Sequence, residues 1–470
     1  MALTNSREKN FAEWYTELCL KAKLFSYGEA KGTINYLPYG WAIWKNIVHE
    51  LDKRLKATGV LEVQLPLFIK ASDFAKEKQH IEGFAPEAFT ITTQNGQTLD
   101  DPLILRPTSE VLFSRLFKNE IKTYNDLPIK YNQWCSVYRM EKNTKPFLRG
   151  CEFFWHELHA MFQTQQECEE YTLKIHKLYN DFLKYVCCLD VLEGKKTESE
   201  KFAGAVDTYT REVLAQDGQC IQTGTSHYLG QNFAKMYDIK YQTNNNEFAV
   251  PYYMSAGLTT RLIGDLIVVH GDDKGLVLPS LLAPVQVAII SLFTKKEPLV
   301  ETLCKQIYDS LNTSFRVEFD NSDEQFGYKI TNHELRGVPI TIAIGPNDAK
   351  NNKATMIRRD LGTKQLIDLD NIVDFIKQQL QEYNVNIYNK SKIFLQSSIV
   401  EVDNIDDFIK GINNRKVIKA CWGGSIEDEA KLKEMTQATP RCIVSNASET
   451  DKCFFTKQKA KYIIYFAKAY

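Results

Sequence analysis

What the chain does not contain narrows the reading first. No stretch approaches the ~18 consecutive apolar residues that cross a bilayer, and no apolar signal run opens the sequence. Charge of either sign is not in excess: 58 Lys and Arg stand against 59 Asp and Glu, for a net charge of -1, so any nucleic-acid contact has to come from local patches. A phosphate loop of the GxxxxGKS/T type is missing, so nucleotide binding here would rest on arginines. Eleven cysteines, an odd number that includes the neighbours Cys187 and Cys188, do not suit a secreted disulfide framework. There is no internal repeat and no low-complexity tract. The expectation is a soluble, reduced, cytoplasmic chain with no membrane partner, and 470 residues supply two to four domains.

What is present is densest between Ile129 and Met161. Two aromatic-rich segments flank a charged loop with Lys142, Lys145, Pro146 and Arg149, which predicts an antiparallel hairpin. Strand alternation puts Arg139 and Glu141 on one side, and Phe153, Trp155, Glu157 and His159 on one side of the return strand. A guanidinium, carboxylates, an imidazole and two rings on one face are unfavourable to bury unless something fills the space between them. A ligand is the simplest reading; the alternative is an amphipathic hairpin whose charges are solvated. For a ligand, Arg139 offers a fork for phosphate or carboxylate, Phe153 a face for a flat base, and the loop cations a grip on a polyphosphate.

Elsewhere, residues 1–35 suggest a helix around Phe11, Trp14, Leu18 and Leu20, followed by a turn. Ile43, Ile47, Leu51 and Leu55 predict an amphipathic helix over Tyr39–Thr58 with Gly59 as its C-cap, then a strand Leu61–Leu65 ending at Pro66. His80 to Glu87 is a polar and aromatic loop. Arg106-Pro107-Thr108-Ser109-Glu110 lies between an apolar strand and an apolar helix, where Thr108 or Ser109 would cap. Gln222 to Phe233, polar and punctuated by Gly, suggests a turn beneath a ligand. Ser255 to Arg261 opens a helix in which Gly257 permits close approach and Arg261 sits near the N-terminus, where an anion meets free N–H groups. From Ala283 to about Asn384, apolar strands alternate with helices, as in an α/β unit, and Lys350, Lys353, Arg358, Arg359 and Lys364 could hold phosphates.

Arg139-Met140-Glu141, a loop, then Arg149 and Phe153 resemble motif 2 of the class II aminoacyl-tRNA synthetases. The helix–strand–Pro66 segment is similar to motif 1, the dimer element, and Gly257 to Arg261 to motif 3. His80-Ile81-Glu82-Gly83-Phe84-Ala85-Pro86-Glu87, Arg106 to Glu110 and Gln222 to Phe233 resemble elements of the archaeal and eukaryotic-type prolyl-tRNA synthetase family, with Thr223 in place of one Gly and Ala256 in place of a usual Trp. The resemblance implies an α+β fold: a catalytic domain over 1–283 with an antiparallel sheet and flanking helices, an α/β anticodon-binding domain over 284–390, and a small α/β C-terminal domain over 391–470. It implies a homodimer that activates L-proline with ATP and Mg2+ and passes it to tRNA(Pro). Arg139 and Arg261 would be catalytic; Arg139, Glu141, Arg149, Gly150, Phe153, Gln222, Thr225, Thr259 and Arg261 would hold ATP, with Gln222 also toward Mg2+. Thr108, Glu110, Arg139, Trp155, Glu157, His159 and His227 would shape the proline pocket, with Phe84 and Glu87 on its loop. Glu334, Arg358 and Arg359 stand in the family's anticodon-binding places. The family's four-Cys zinc positions fall on Gly423, Asp428, Cys453 and Phe455, so structural zinc is not expected. The last residue would fold back towards the catalytic domain. Between Glu152 and Gly257 helix and turn patterns leave no room for the large editing insertion of the bacterial-type enzyme. A class II synthetase for another amino acid and a non-catalytic tRNA-binding paralogue stay open as alternatives.

Overall fold

The computed structural model describes residues 2–78, 88–294 and 297–470. Apolar periodicity builds the first layer. Helix α1 (Phe11–Lys21) is capped by Asn10, which accepts a hydrogen bond from Glu13 N–H, and it buries Trp14, Tyr15, Leu18 and Cys19. Leu20, placed on that face from the sequence, is 40% exposed and lies on the outer side. Helix α2 (Pro38–Lys56) starts with Pro in its first turn and buries Ile43, Trp44, Ile47, Leu51 and Leu55, each contributing roughly 1.5–3 kcal/mol of apolar burial. The predicted strand after it shrinks to β1 (Leu61–Glu62).

The centre of the molecule is the expected hairpin: β2 (Ile129–Tyr138) pairs antiparallel with β3 (Glu152–Phe162), from Ile129 opposite Met161 to Tyr138 opposite Glu152. Alternation divides β3 cleanly. Phe154, Leu158 and Ala160 enter the main core, where His156 joins Tyr179 of helix α3 (Gln165–Tyr185). Phe153, Trp155, Glu157 and His159 take the opposite face. Beyond β3 come β4 (Leu192–Lys195), β5 (Asp207–Leu214), β6 (Gln219–Gly230) and β7 (Tyr252–Thr259), followed by helix α4 (Arg261–His270). The segment expected as a turn at Gln222 to Phe233 is thus mostly strand. Its polar side chains Thr223, Thr225 and Ser226 are buried, and His227 pairs with Thr208 of the neighbouring β5, so polarity here marks a buried strand and not a turn. Likewise the span from Glu152 to Gly257 is largely strands around one long helix, not helices and turns.

A five-stranded sheet follows: β8 (Val287–Ser291), β9 (Val317–Asp320), β10 (Ile340–Ile344), β11 (Lys353–Arg358) and β12 (Lys364–Asp368), in the order β9-β8-β10-β11-β12, with the first three parallel and the last two antiparallel. It has its own core of Val287, Ile289, Ile340, Ile342 and Ile344 against helices. Helix α5 (Ile372–Ser398) then runs 27 residues, uninterrupted through the expected boundary at 390. The last unit contributes β13 (Ile399–Val402), β14 (Val417–Trp422), β15 (Ala438–Asn446) and β16 (Tyr462–Ala469). These join the catalytic sheet into eleven strands ordered β13-β14-β16-β15-β4-β5-β6-β7-β3-β2-β1, with β16 also parallel to β6 at Gln219 and Cys220.

Two expected surface cations are interior. Arg358 is bound by Asp360, Gln379 and Glu382, and Arg359 donates twice to the Asp272 carboxylate, at 2.8 and 2.5 Å, and once to Glu334 O at 3.0 Å. Arg359 ties the five-stranded unit to the catalytic domain, Arg358 is bound within its own unit, and both guanidiniums are engaged by charge-assisted bonds to carboxylates. Glu334 meets Lys274 at 3.5 Å; Lys350, Lys353 and Lys364 keep to the surface side. Replacing Arg359 by Met leaves Asp272 with only the Lys274 and Gly275 N–H groups, and we expect a loss of about 2–3 kcal/mol, read from denaturant unfolding of the full chain.

Candidate active site

The hairpin loop is pinned before any functional side chain is considered. Lys145 and Arg149 exchange backbone hydrogen bonds at 2.7 and 2.9 Å, Phe147 takes a positive φ of 63°, and Tyr15 of α1 donates to Pro146 O at 2.7 Å. Leu148 beneath the loop packs on α4 at Gly264, where a Cβ would come within 2.3 Å of its side chain. Leu148 O then accepts from Arg261 Nε at 2.9 Å, and Arg261 Nη1 donates to Gln222 O at 3.1 Å. Arg261 is the first residue of α4, so the motif loop, β6 and the helix start are tied by one guanidinium.

Arg139 follows the end of β2. It donates through Nε to Pro107 O at 2.9 Å and lies over the Phe153 and Trp155 rings, 5.2 and 5.5 Å from their centroids. The two rings meet edge to face at 5.8 Å. Trp155 in turn lies against Gly257 of β7, where an added Cβ would stand 3.3 Å from His156 O and 3.4 Å from the indole, so the approach expected of that glycine is to the neighbouring strand and its ring. Arg149 sits across the cavity, 4.0 Å from the Glu141 carboxylate, with Nη2 donating to Tyr470 O at 3.4 Å. Tyr470 lies under Lys145 and Arg149, so the chain's last residue does return to the catalytic domain. All three guanidiniums, 139, 149 and 261, line one cavity of about 240 Å³ with Phe153 and Trp155.

The cavity's deep end is acidic. Glu157 is 2% exposed and accepts from Ser109 N–H at 3.0 Å and Gln133 Nε2 at 2.9 Å, with His159 Nε2 4.0 Å away. Burial raises its pKa, but these donors, His159 first, outweigh it and hold the carboxylate below its ordinary range. Glu110 goes the other way: burial pushes it up, with His159 working against this and Glu157 adding to it. Thr108 Oγ1 donates to Glu110. Ser109 occupies the N-cap position of the helix Glu110–Glu120, yet makes no side-chain cap; its hydroxyl accepts from Gln133 instead, so the capping expected there is displaced by the site. His159 stacks on Phe113 at 4.0 Å and its Nδ1 meets Tyr253 OH at 2.5 Å. His227 bridges Thr208 Oγ1 at 2.9 Å and Thr225 Oγ1 at 3.0 Å, and burial lowers its pKa to about 3, so it is a neutral ring that relays hydrogen bonds.

Every residue expected to hold ATP or the amino acid lines this cavity: Thr108, Glu110, Arg139, Glu141, Arg149, Gly150, Phe153, Trp155, Glu157, His159, Gln222, Thr225, His227, Thr259 and Arg261. Phe84 and Glu87 lie outside the described residues. The lining adds Glu200, Phe202, Thr208 and Ser255, which sequence reasoning passed over. The run Glu200-Lys201-Phe202-Ala203-Gly204 carries the same mixture of charge, ring and glycine as the loop at 80–87, and that was its signal. Thr223 and Ala256, noted as departures, are also in the wall. In the C-terminal unit, Asp428 caps a helix with Ser425, Gly423 abuts Lys459 O, and Phe455 stacks on Trp422 at 6.0 Å. Among the described residues no group of three or more His, Cys, Asp and Glu is arranged to hold a metal ion, and no helix is long and apolar enough to cross a membrane.

Three family models match in succession: the tRNA synthetase class II core domain (G, H, P, S and T) over residues 89–270, the anticodon binding domain over 286–379, and the prolyl-tRNA synthetase C-terminal domain over 405–470. The chain is 45% identical to the proline--tRNA ligase of Ureaplasma urealyticum serovar 10, over 99% of this chain and 98% of that one. It is 44% identical to that of Malacoplasma penetrans, over 99% of each. Its fold matches the crystal structure of Cryptosporidium parvum prolyl-tRNA synthetase complexed with halofuginone and AMPPNP with a TM-score of 0.96, at 31% identity, covering 100% of this chain and 99% of that one.

The neutral buried imidazoles set a pH dependence. His156, His176 and His227 are lowered by burial to about 3 from 6.5. Between those values the unfolded chain binds protons that the folded chain does not, so stability falls as pH drops from 6.5 towards 3. The unfolding midpoint should therefore fall between pH 6.5 and 4, and His227→Gln should flatten that dependence by about one proton; an unchanged slope contradicts the assignment.

Proposed function

This chain belongs to the prolyl-tRNA synthetases, class II enzymes that attach L-proline to tRNA using ATP, and on that premise we propose how its own residues divide the work. Arg139 stands between the two halves of the site. Its Nε is spent on Pro107 O, which leaves both terminal nitrogens for the proline carboxylate and the ATP α-phosphate. The ionised Glu157 and the neighbouring Glu110 receive the secondary ammonium of proline, because a buried cation needs an anionic partner. Trp155 and His159 close round the ring, with His227 and Thr108 as neutral hydrogen-bonding walls. Phe153 stacks the adenine; Arg149 and Arg261 take the terminal phosphates, and Glu141, Gly150, Gln222, Thr225 and Thr259 complete the nucleotide site. The observation that carries this reading is the convergence of three guanidiniums and two buried carboxylates on one cavity.

The chemistry then needs little from the protein beyond position and charge. A carboxylate oxygen of proline attacks the α-phosphorus, the bond to the bridging oxygen breaks, and pyrophosphate leaves with that oxygen. Arg139 neutralises charge on the α-phosphoryl oxygens while Arg149 and Arg261 stabilise the departing pyrophosphate. In the second step the terminal ribose hydroxyl of tRNA(Pro) attacks the carbonyl carbon, its proton is lost, and AMP leaves with the carboxylate oxygen. The lining offers hard oxygen donors at Gln222 and Glu141, which fit Mg2+ held mainly by phosphates and water; bound there, it would supply further charge neutralisation. We also propose a homodimer through α2 and β1. The support is an edge strand of two residues whose Leu61 is 65% exposed on the outer margin of the eleven-stranded sheet.

Three outcomes follow. Pyrophosphate exchange should depend on proline and not on threonine or histidine. Arg139→Ala should lower adenylate formation by about 10³-fold without loss of fold, and retained exchange counts against its role. Alanyl-tRNA(Pro) should survive incubation with the enzyme, since strands of the catalytic sheet and one long helix fill most of the span from Glu152 to Gly257; rapid deacylation would refute that.

A further inference from the structure

One wall of the cavity comes from the segment 196–208, which supplies Glu200, Phe202 and Thr208. Its own turns hold it in part: Glu200 and Lys201 N–H donate to Thr197 O at 3.1 and 2.9 Å, Ala205 N–H donates to Phe202 O at 3.0 Å, and Val206 N–H reaches Tyr228 O of β6 at 2.9 Å. Phe202 N–H donates to Thr208 Oγ1 at 3.0 Å, and Lys196 N–H to Thr208 O at 2.8 Å. Thr208 Oγ1 is also the partner of His227 Nδ1, opposite it in the β5–β6 ladder, so the bond from Phe202 N–H ties the segment to that imidazole. Phe202 lies 4.7 Å from the same ring.

The C-terminal unit grips the segment at two points. At its base, Lys196 Nζ meets Glu212 Oε1 at 2.5 Å, and Arg441 Nε, from β15, donates to Glu212 Oε2 at 2.6 Å. Arg441 Nη1 is fixed in turn by Thr439 Oγ1 at 2.7 Å. Lys196, Glu212 and Arg441 are 3%, 0% and 5% exposed, so this is a dry triad of two cations on one carboxylate. At its crest, Ser199 Oγ donates to Glu429 of the helix Ile426–Thr436, with Thr197 Oγ1 at 3.5 Å from the same oxygen. Buried charge triads add little to net stability, yet they fix register, since any displacement uncovers an unpaired charge. Two cations against one anion make the arrangement asymmetric. The Lys196–Glu212 pair is neutral by itself, and Arg441 adds the charge that ties it to the C-terminal sheet.

We propose that the C-terminal unit positions the amino-acid end of the active site, with Arg441 acting through Glu212 and Lys196, and Glu429 acting through Ser199, on the wall that carries Phe202 and Thr208. Arg441 and Glu429 touch no reactant in the site described above; they are positioning residues. The inference rests on the placement of proline proposed there. It also separates two routes from the same unit into the cavity: Tyr470 reaches the phosphate end at Arg149, and Arg441 the amino-acid end.

The test uses the full-length protein and Arg441→Met, which removes one charge, keeps much of the volume and leaves Lys196 paired with Glu212. Glu429→Gln is the second variant, since it lies near the surface and does not threaten folding. Pyrophosphate exchange is measured with proline and ATP varied separately, beside thermal unfolding. The expected result is a proline KM raised about 10-fold in each variant, an ATP KM within about 2-fold of the parent, and partial recovery in Arg441→Lys. A proline KM equal to the parent's in both folded variants overturns the proposal. So does an equal rise in both KM values, the signature of general loosening. Absence of any proline-dependent exchange in the parent protein would overturn the underlying functional reading, and this inference with it.

Discussion

The structure is arranged around a carboxylate that has no business being dry. Glu157 sits at the bottom of the cavity, 2% exposed, and stays ionised only because the backbone of Ser109, the amide of Gln133 and the ring of His159 surround it. Each donor is itself committed. Ser109 gives up its capping role, Gln133 is locked by the hairpin register opposite Glu157, and His159 is clamped between Phe113 and Tyr253. Such a group is costly to the fold, about the size of several core contacts if left unpaired, and its positioning makes sense once a cationic amine is to be held there. The neighbouring Glu110 moves oppositely in pKa, and the pair thereby divides one negative charge from one reserve of it.

A second constraint is the packing that lets cations converge. Arg139, Arg149 and Arg261 would repel one another in an empty low-dielectric cavity, and each is moored by a carbonyl: Pro107, Tyr470, and Leu148 with Gln222. For Arg139 and Arg261 the mooring is by neutral peptide oxygens and fixes direction without cancelling charge, whereas Arg149 also faces the Glu141 carboxylate at 4.0 Å. The site therefore keeps its positive potential for an anionic ligand.

Much of this was legible in the chain because strand alternation is rigid. Once Ile129 to Met161 is read as a hairpin, Phe153, Trp155, Glu157 and His159 must share a face, and no tertiary contact can undo it. What sequence could not supply was the identity of groups whose polar character is internal. Gln222 to Phe233 looked like a turn because Thr, Ser, His and Gln are usually wet; in the fold Ser226 is fully buried and His227 is bridged by Thr208 and Thr225. Arg358 and Arg359 looked like a phosphate patch for the same reason, and their partners, Asp360 beside them and Asp272 in another domain, could not be guessed from spacing alone. Glu200, Phe202 and Thr208 were missed because a loop and a strand start, read by themselves, do not show that they face a cavity walled by residues 108–110, 139–159 and 222–261. In the C-terminal unit, Phe408 stacks on Phe454 at 4.8 Å with Trp422 and Phe466 around them, an apolar centre whose rings are scattered along the sequence.

Helix α5 has a mechanical meaning of its own. Its N-terminal half closes the core of the five-stranded sheet through Ile372, Ile376 and Leu380, and its C-terminal half enters the cluster beside β14 and β16 through Leu395. At 27 residues it is a strut some ~40 Å long, with no break at which bending could be absorbed. A pitch of about 6° imposed where it meets the anticodon-binding sheet is a sway of roughly 4 Å at its far end, by the lever arm of a helix this long. A tilt of the five-stranded sheet is therefore geometrically a displacement at the margin of the eleven-stranded sheet.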